Sequence, residues 1–338
     1  MKNKFLSLPQ PTRINAFNKI AEEKGITPFA AEKDWWVTRT LSIIFEMEHV
    51  APYLVFKGGT SLSKAWGLIN RFSEDVDLAI DREFLGFTEV PKRKTNLRKK
   101  SGKYVTEQFF PELQKRFEEK GIAEDVEFKI EEATSSDQDP RVINIFYPHV
   151  IELLGYMHPR VQIEIGCRSL KEPFTERLIT SFVDEAFIGA DFVELPFPVP
   201  SVNPERTFLE KIFLLHEEFQ KESEKVRVDR LSRHLYDLHC LSNSEYKDKA
   251  LHDKELYKGI VEHRKEFTRV AGVDYTLHNP QTIDPIPPNS IIKEWEKDYE
   301  KMRAEMLYSL NRPSFSEIIT TVKSIRSEIN AIDWKVCE

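Results

Sequence analysis

The stretch FKGGTSLSKAWGLINRFSEDVDLAI, residues 56–80, decides the fold class of this chain. One apolar run ends at Gly58 and Gly59, and a second apolar run follows Asp75. Short apolar runs bounded by glycine or polar residues are typical of strands, and residues 60–68 between them have a helical pattern. The stretch therefore predicts a strand, a tight turn, a helix and a second strand.

The predicted turn has the features of a phosphate site. Glycines let a ligand approach the backbone closely, and the following helix points free N–H groups and its positive dipole end at the same spot. Hydroxyl and ammonium groups next to the turn would add hydrogen bonds and charge. A double-glycine turn is weak support by itself, because such short patterns are common. The candidate residues are Lys57, Gly58, Gly59, Thr60, Ser61 and Lys64.

The second strand begins with two aspartates, Asp75 and Asp77. Residues two apart in a strand point to the same face, so both carboxylates converge. Two like charges held together are costly unless a cation lies between them. A pair of solvated acids at the start of a strand is the alternative interpretation. The glycine turn favours metal binding, since Mg²⁺ prefers a few carboxylates together with phosphate oxygens and water.

A third acid, Glu164, lies in the middle of the strand-like run VQIEI. A carboxylate at such a position costs free energy unless it has a partner. Metal binding would supply that partner, and so would a salt bridge to Arg160 or Arg168. We expect Glu164 to join Asp75 and Asp77 in holding Mg²⁺ or Mn²⁺.

Composition and charge are those of an ordinary globular protein: 338 residues, 40% hydrophobic and 31% charged, with a net charge of −7. No run approaches the roughly 18–20 apolar residues of a membrane span, and the first residues lack the apolar segment of a signal peptide. The three cysteines are widely separated, which is typical of free thiols in a reducing compartment. We therefore expect a cytoplasmic protein with no membrane partner.

One basic segment differs from this acidic average, because no acidic residue occurs from position 91 to position 105. The net charge does not indicate a protein covered by nucleic acid, but RNA binding needs only a local basic patch. A solvated helix face is an equally good interpretation. The basic residues are Lys92, Arg93, Lys94, Arg98, Lys99, Lys100 and Lys103.

The pattern along the chain predicts an α+β protein in three parts: a helical segment 1–50, a mixed sheet lobe 51–203 and a helical lobe 204–338. Thr27 and Pro28 are a cap and a first-turn residue for an N-terminal helix that buries Trp35 and Trp36. Prolines at positions 196, 198 and 200 exclude a central strand there and favour an edge strand or a connection between lobes.

The glycine turn, helix and DxD strand resemble the mark of the minimal nucleotidyltransferase superfamily. More narrowly, the chain is similar to the AbiEii/AbiGii toxin family of type IV toxin–antitoxin and abortive-infection systems. The segments that carry this likeness are EKDWW at 32–36, KGGTSLSKAW with RFSEDVDL, ERTFLEKIFLLHEE at 205–218 and SRHLYDLHCL at 232–241. The resemblance covers most of the chain and implies a nucleotidyltransferase fold with a helical C-terminal lobe.

The resemblance also implies roles for single residues of the sheet lobe. The family's phosphate turn matches Gly59 and Thr60 or Ser61, and its metal carboxylates match Asp75 and Asp77. From the residues alone, the same turn and the same carboxylates form one site, so the two lines of reasoning agree.

In the helical lobe, Lys211 matches the family's helix lysine, which implies contact with the phosphates of an NTP. Asp237 matches the aspartate of the last motif, which implies a role in organising the site, and Arg233 and His234 beside it would contact nucleotide or acceptor. The residues alone would make Lys211 an exposed lysine paired with a glutamate and Asp237 part of a surface salt bridge. The match around Glu164 is less distinctive.

The resemblance implies transfer of a nucleoside monophosphate from an NTP to an acceptor, with release of pyrophosphate. It further implies growth inhibition of the host cell, a cognate antitoxin and RNA, tRNA included, as acceptor, with residues 92–103 as the RNA contact. Two-metal sites place their ions about 3.5–4 Å apart, and Glu164 or Asp77 would accept the proton of the acceptor hydroxyl. Two alternatives stay open: a nucleotidyltransferase that modifies a small molecule or a protein, and a non-catalytic nucleotide-binding module.

Overall fold

The computed structural model describes residues 3–73, 75–88, 94–135, 138–152, 158–167, 173–308 and 312–337. The chain divides into two compact units. The first comprises Met1–Trp66 and Phe72–Val202, and the second comprises Gly67–Arg71 and Asn203–Glu338. The first unit contains a mixed sheet with flanking helices and the second is helical, which confirms the predicted α+β class.

The first unit starts with two helices whose boundaries follow local rules. Helix α1 (Gln10–Lys24) ends at Gly25, whose φ of 66° is in the left-handed region that favours glycine. Helix α2 (Pro28–Phe45) begins as predicted, because the side chain of Thr27 accepts a hydrogen bond from the N–H of Ala30. Trp35 and Trp36 lie in the core, as expected.

The sheet has the strand order β3-β4-β5-β2-β1-β7-β6. Strands β2 and β5 pair in parallel, as do β1 and β7, and the other neighbours are antiparallel. Val76, Leu78 and Ile163 on the central strands are fully buried on one face, against the core. The strands are β1 (Leu54–Lys57), β2 (Asp75–Ile80), β3 (Glu127–Ile130), β4 (Arg141–Phe146), β5 (Arg160–Gly166), β6 (Phe174–Ile179) and β7 (Phe197–Val202).

Four helices complete the first unit, and the shortest of them carries the glycine turn. Helix α3 follows β1 directly and ends earlier than the helix predicted to residue 68. A π-helical turn joins α4 to α5. The helices are α3 (Gly58–Lys64), α4 (Lys94–Tyr104), α5 (Phe110–Glu119) and α6 (Phe182–Ala186).

Strand β7 shows that the expectation drawn from the prolines was wrong, because this strand lies between β1 and β6. Successive N–H groups of a strand point to opposite neighbours, so Pro198 and Pro200 remove donors on one side only. The register of β7 with β1 is a single pair, Phe56 with Ser201, whereas every residue of β7 pairs with β6. A strand that makes so little contact on one side tolerates two prolines in an interior position.

The second unit consists of helices α7 (Pro204–Phe219), α8 (Arg233–Ser242), α9 (Glu245–His252), α10 (Lys254–His263), α11 (Ile292–Glu305) and α12 (Phe315–Asn330). Phe208, Ile212 and Leu215 form the buried face of α7, as their spacing predicts. Helix α12 starts at a capping box between Ser314 and Glu317. In the described parts of the chain, no helix is long and apolar enough to cross a membrane.

Candidate active site

Strand β2 presents both predicted aspartates on one face of the sheet. Asp75 and Asp77 are partly exposed, while Val76 and Leu78 between and after them are fully buried. This alternation is the expected pleat of a strand with one face against the core. The two carboxylates therefore lie on the face of the sheet that is directed away from the core residues Val76 and Leu78.

Strand β5 brings Glu164 to the same face. It pairs in parallel with β2, and Glu164 is the registered partner of Asp77. Registered partners on neighbouring strands point the same way, and such strands lie about 4.8 Å apart. Gln162 donates a hydrogen bond of 2.9 Å from Nε2 to Oε1 of Glu164. The alternative partner Arg168 lies outside the described residues.

The carboxylates share a face without being gathered around one point. Within the described ranges, no group of three or more His, Cys, Asp or Glu side chains is placed to hold a metal ion. Mg²⁺ needs only one or two carboxylates when phosphate oxygens and water supply its other ligands. Asp75 and Asp77 fit such a pair of donors, and the participation of Glu164 stays a prediction.

The glycine turn lies directly against the second of these aspartates. Gly58 has a φ of +79°, and a Cβ added to it would lie 2.0 Å from Oδ2 of Asp77. Any side chain at position 58 would therefore displace the carboxylate, and it would also be strained by the backbone conformation. Lys57, the residue before it, is the registered partner of Asp77 in the β1–β2 ladder.

The two hydroxyl residues of the turn are both buried. Thr60 donates a hydrogen bond to the main-chain carbonyl of Asp75 and lies 3.0 Å from Oγ of Ser73, so it ties α3 to the start of β2. Ser61 Oγ is a buried polar atom with no hydrogen-bond partner among the residues that the structure describes. A buried hydroxyl without a partner is unusual and fits a site that a polar ligand completes.

Lys64 differs from the solvent-facing lysine that the sequence suggests. Its side chain is 7% exposed, and its ammonium lies 2.6 Å from Oδ1 of Asp34. It also donates a hydrogen bond of 2.8 Å to the carbonyl of Thr180 and lies over the ring of Phe182. The structure thus places Lys64 in a buried ion pair at the end of α3.

In the second unit, Lys211 and Asp237 form a buried ion pair, which differs from the exposed contacts that their residue types suggest. Lys211 Nζ lies 2.7 Å from Oδ2 of Asp237, whose side chain is fully buried. Burial by itself would raise the pKa of Asp237, but the charges of Arg71 and Lys211 outweigh it and hold that pKa below its ordinary range. Burial lowers the pKa of Lys211, with Asp237 opposing this effect.

Arg71 completes this group and was missed by the sequence reasoning. Its guanidinium makes two hydrogen bonds to the carboxylate of Asp237, from Nε at 2.7 Å and from Nη2 at 2.8 Å. This fork geometry is the strong, directional form of an arginine–carboxylate pair. Arg71 stands 166 positions before its partner, so only its charge marks it in the sequence.

His234 and Arg233 lie next to this group at the start of α8. His234 Nδ1 is 3.4 Å from Lys211 Nζ. Burial, together with the nearby positive charges of Lys211 and Arg233, lowers the pKa of His234. The imidazole is therefore neutral at pH 7 and can act as a hydrogen-bond partner without adding a third positive charge.

The basic segment forms helix α4 within its described part, and Lys92 and Arg93 lie outside the described residues. Lys99, Lys100 and Lys103 are exposed, whereas Gly102 faces inward. A Cβ on Gly102 would lie 2.6 Å from Nε of the buried Arg141, so this position must lack a side chain for α4 to pack there. The helix is fixed on one side and presents lysines on the other.

Comparison with known protein families gives one match, over residues 39–321, to the family described as nucleotidyl transferase AbiEii toxin, type IV TA system. No match is found among curated proteins. Among solved structures, the chain is similar to MenT4, a nucleotidyltransferase toxin from Mycobacterium tuberculosis H37Rv, with 17% sequence identity and a TM-score of 0.52. The likeness covers 97% of this chain and 91% of that one, and it confirms the predicted fold.

Proposed function

Because the chain belongs to the AbiEii family of nucleotidyltransferase toxins of type IV toxin–antitoxin systems, we propose that it transfers a nucleoside monophosphate from an NTP to RNA, with tRNA as the principal candidate. The family supports the reaction class, the NTP substrate and a cognate antitoxin. One observation carries the proposed site: Gly58 leaves space for the Asp77 carboxylate and for nothing larger. That contact joins the glycine turn to the DxD strand.

We propose that Asp75 and Asp77, with Glu164 on the neighbouring strand, hold a divalent metal ion, Mg²⁺ or Mn²⁺. Carboxylate oxygens are the ligands that these ions prefer. When bound, such an ion neutralises charge on the phosphates and lowers the pKa of the attacking hydroxyl. The protein then has little covalent chemistry to perform, and its carboxylates act by position and charge.

We propose that the turn Gly58–Gly59–Thr60–Ser61 and Lys57 contact the phosphates of the NTP. The unsatisfied Ser61 hydroxyl supports this assignment. Thr60 is engaged with main chain at β2, so its contribution is to hold the turn in shape.

In the helical unit, Lys211 is proposed to contact phosphate and Asp237 to hold Lys211 in place. Asp237 accepts from both Lys211 and Arg71, so it fixes the ammonium at a defined position. His234 and Arg233 beside it are proposed to contact the nucleotide or the acceptor. An ammonium that is buried and held by one carboxylate keeps donors for a bound anion, because it has three N–H bonds.

The exposed lysines of α4 support RNA as the acceptor. Lys99, Lys100 and Lys103 lie on the outer side of the helix and would neutralise phosphates of a bound strand. The net charge of the whole chain is −7, so a local patch of this kind is where a polyanion would bind.

A transfer assay tests the proposal. The purified protein is incubated with each α-labelled NTP, Mg²⁺ and either total tRNA or a cell lysate, and Asp77→Asn serves as the matched control. Label in RNA that requires Asp77 is the expected result. Label in protein or in a small molecule would keep the chemistry and replace the acceptor. NTP binding without any transfer would contradict the catalytic proposal and leave a nucleotide-binding module.

A further inference from the structure

Helix α2 contains three consecutive charged residues that are all buried: Glu32 is 1% exposed, Lys33 is 1% exposed and Asp34 is 4% exposed. Burying a charge is costly unless it is paired and hydrogen-bonded. Each of these side chains therefore has to be explained by its partners. The partners belong to three different segments of the first unit.

Glu32 holds the main chain that follows β4. Its two carboxylate oxygens accept hydrogen bonds from the N–H groups of Val150, at 2.8 Å, and Ile151, at 3.2 Å. Burial raises the pKa of Glu32 to about 7, although these hydrogen bonds and the charges of His149 and Arg13 lower it. Two main-chain donors on one carboxylate fix the segment in a single position.

Lys33 holds the main chain just before β5. Its ammonium donates a hydrogen bond of 3.0 Å to the carbonyl of His158. Strand β5 begins at Arg160 and carries Glu164 four positions later. Glu32 and Lys33 thus hold both ends of the connection that leads from β4 to the strand of the proposed third metal ligand.

Asp34 holds helix α3. One of its oxygens accepts from Lys64 Nζ at 2.6 Å, and the other accepts from the N–H of Phe182 at 2.8 Å. Lys64 is the last residue of α3, and the same helix begins at Gly58. Because α3 is only seven residues long, a contact at its last residue also determines where its first residue lies.

We propose that Glu32, Lys33 and Asp34 are positioning residues for nucleotidyl transfer. Asp34 acts through Lys64 on the glycine turn, and Glu32 and Lys33 act on the approach to β5. The inference rests on the proposed function, because it takes the turn and the carboxylates as the reacting site.

The tight contact at the turn explains why position matters. The Gly58 main chain and the Asp77 carboxylate leave no free space, since a Cβ would lie 2.0 Å from Oδ2. A shift of α3 by a fraction of an ångström therefore moves the carboxylate or opens the contact. Misplacing a reacting group by about 1 Å can reduce a rate on the order of 100-fold.

A double-mutant cycle with Asp34→Asn and Lys64→Met tests the inference. We expect each single variant to reduce kcat for NMP transfer by roughly 10- to 100-fold while KM for the NTP changes less than about twofold. The double variant is expected to be no worse than either single one, because both changes break the same contact. A KM increase confined to Lys64→Met would instead assign Lys64 to the phosphates and overturn the inference.

Asp184→Asn is the matched control. Asp184 is equally buried and is also paired with an arginine, Arg39, in the same unit. It has no recorded hydrogen bond to α3 or to the connection between β4 and β5, so its loss is expected to lower stability and leave kcat within about twofold at a temperature where both proteins are folded. Equal kcat losses in Asp34→Asn and Asp184→Asn would show a general stability effect and refute a positioning role.

Hydrogen exchange of the amides in α3 gives a readout that does not need activity. We expect faster exchange of α3 in Asp34→Asn and in the milder Lys64→Arg, and unchanged exchange in Asp184→Asn. Wild-type protein without transfer to any acceptor would refute the proposed function. Unchanged α3 exchange in Asp34→Asn would refute the positioning inference, whatever the wild-type activity is.

Discussion

Replacing Asp237 with Asn is the sharpest test of the buried charge group in the second unit. The substitution keeps the size of the side chain and removes the charge that Arg71 and Lys211 share. Asn has one acceptor oxygen, so its N–H₂ group must face one of the two cationic partners. Two positive charges then remain buried without a counter-charge.

The magnitude follows from this arrangement. Removing one partner of a buried ion pair costs about 3–5 kcal/mol, because the remaining charge is left uncompensated. Domains are typically stable by about 5–15 kcal/mol, so the variant should still fold. A loss of this size lowers the midpoint of thermal unfolding by roughly 10 °C for a protein of this length. The low pKa of Asp237 places its contribution at neutral pH, where it is complete, and the contribution is lost only as the pH falls through that value.

Chemical denaturation at pH 7 measures this loss, and Glu300→Gln is the control. Glu300 pairs with Arg303 at 3.0 Å on the surface, with side chains 47% and 35% exposed. Such pairs contribute little, so the control should change the free energy of unfolding by less than about 0.5 kcal/mol. A loss below about 1 kcal/mol in Asp237→Asn would refute the picture of a buried, mutually paired group.

A triple variant separates stability from activity. Replacing Arg71, Lys211 and Asp237 together with Met, Met and Leu removes all three charges and their desolvation cost, so stability should recover to near the wild-type value. Transfer activity should stay absent, because the proposed phosphate contact of Lys211 is gone. Activity in a stable triple variant would contradict the role proposed for Lys211.

Three further changes have defined outcomes. Gly58→Ala should reduce kcat at least about 100-fold by displacing the Asp77 carboxylate, whereas Gly259→Ala, where a Cβ meets nothing within 4 Å, should keep wild-type kinetics. Glu32→Gln should flatten the stability profile measured by denaturation between pH 5 and pH 8: the folded protein binds the Glu32 proton more tightly, so wild type loses on the order of 3 kcal/mol as the pH rises from 4.5 to 7. Changing the exposed lysines of α4 to Gln should lower the salt dependence of RNA binding by up to about 0.7 in the log–log slope per lost phosphate contact and leave KM for the NTP unchanged.

Local chemistry explains what could be read from the sequence. A threonine cap and a proline define the start of α2, and a glycine defines the end of α1, because these residues act on their own backbone. The alternation of Asp75, Val76 and Asp77 places two acids on one face, because a strand has a period of two residues. Such features need only neighbours within a few positions.

The tertiary structure decided the features that depend on distant partners. Strand β7 is internal although it contains prolines, because the loss of donors depends on how closely each neighbour pairs with it. Lys64 and Lys211 resemble surface lysines in the sequence, yet each is buried against an aspartate far away in the chain. Arg71 has no local signal at all. An isolated charge in a sequence defines only a need for a partner, and the fold alone determines whether water or a buried carboxylate meets that need.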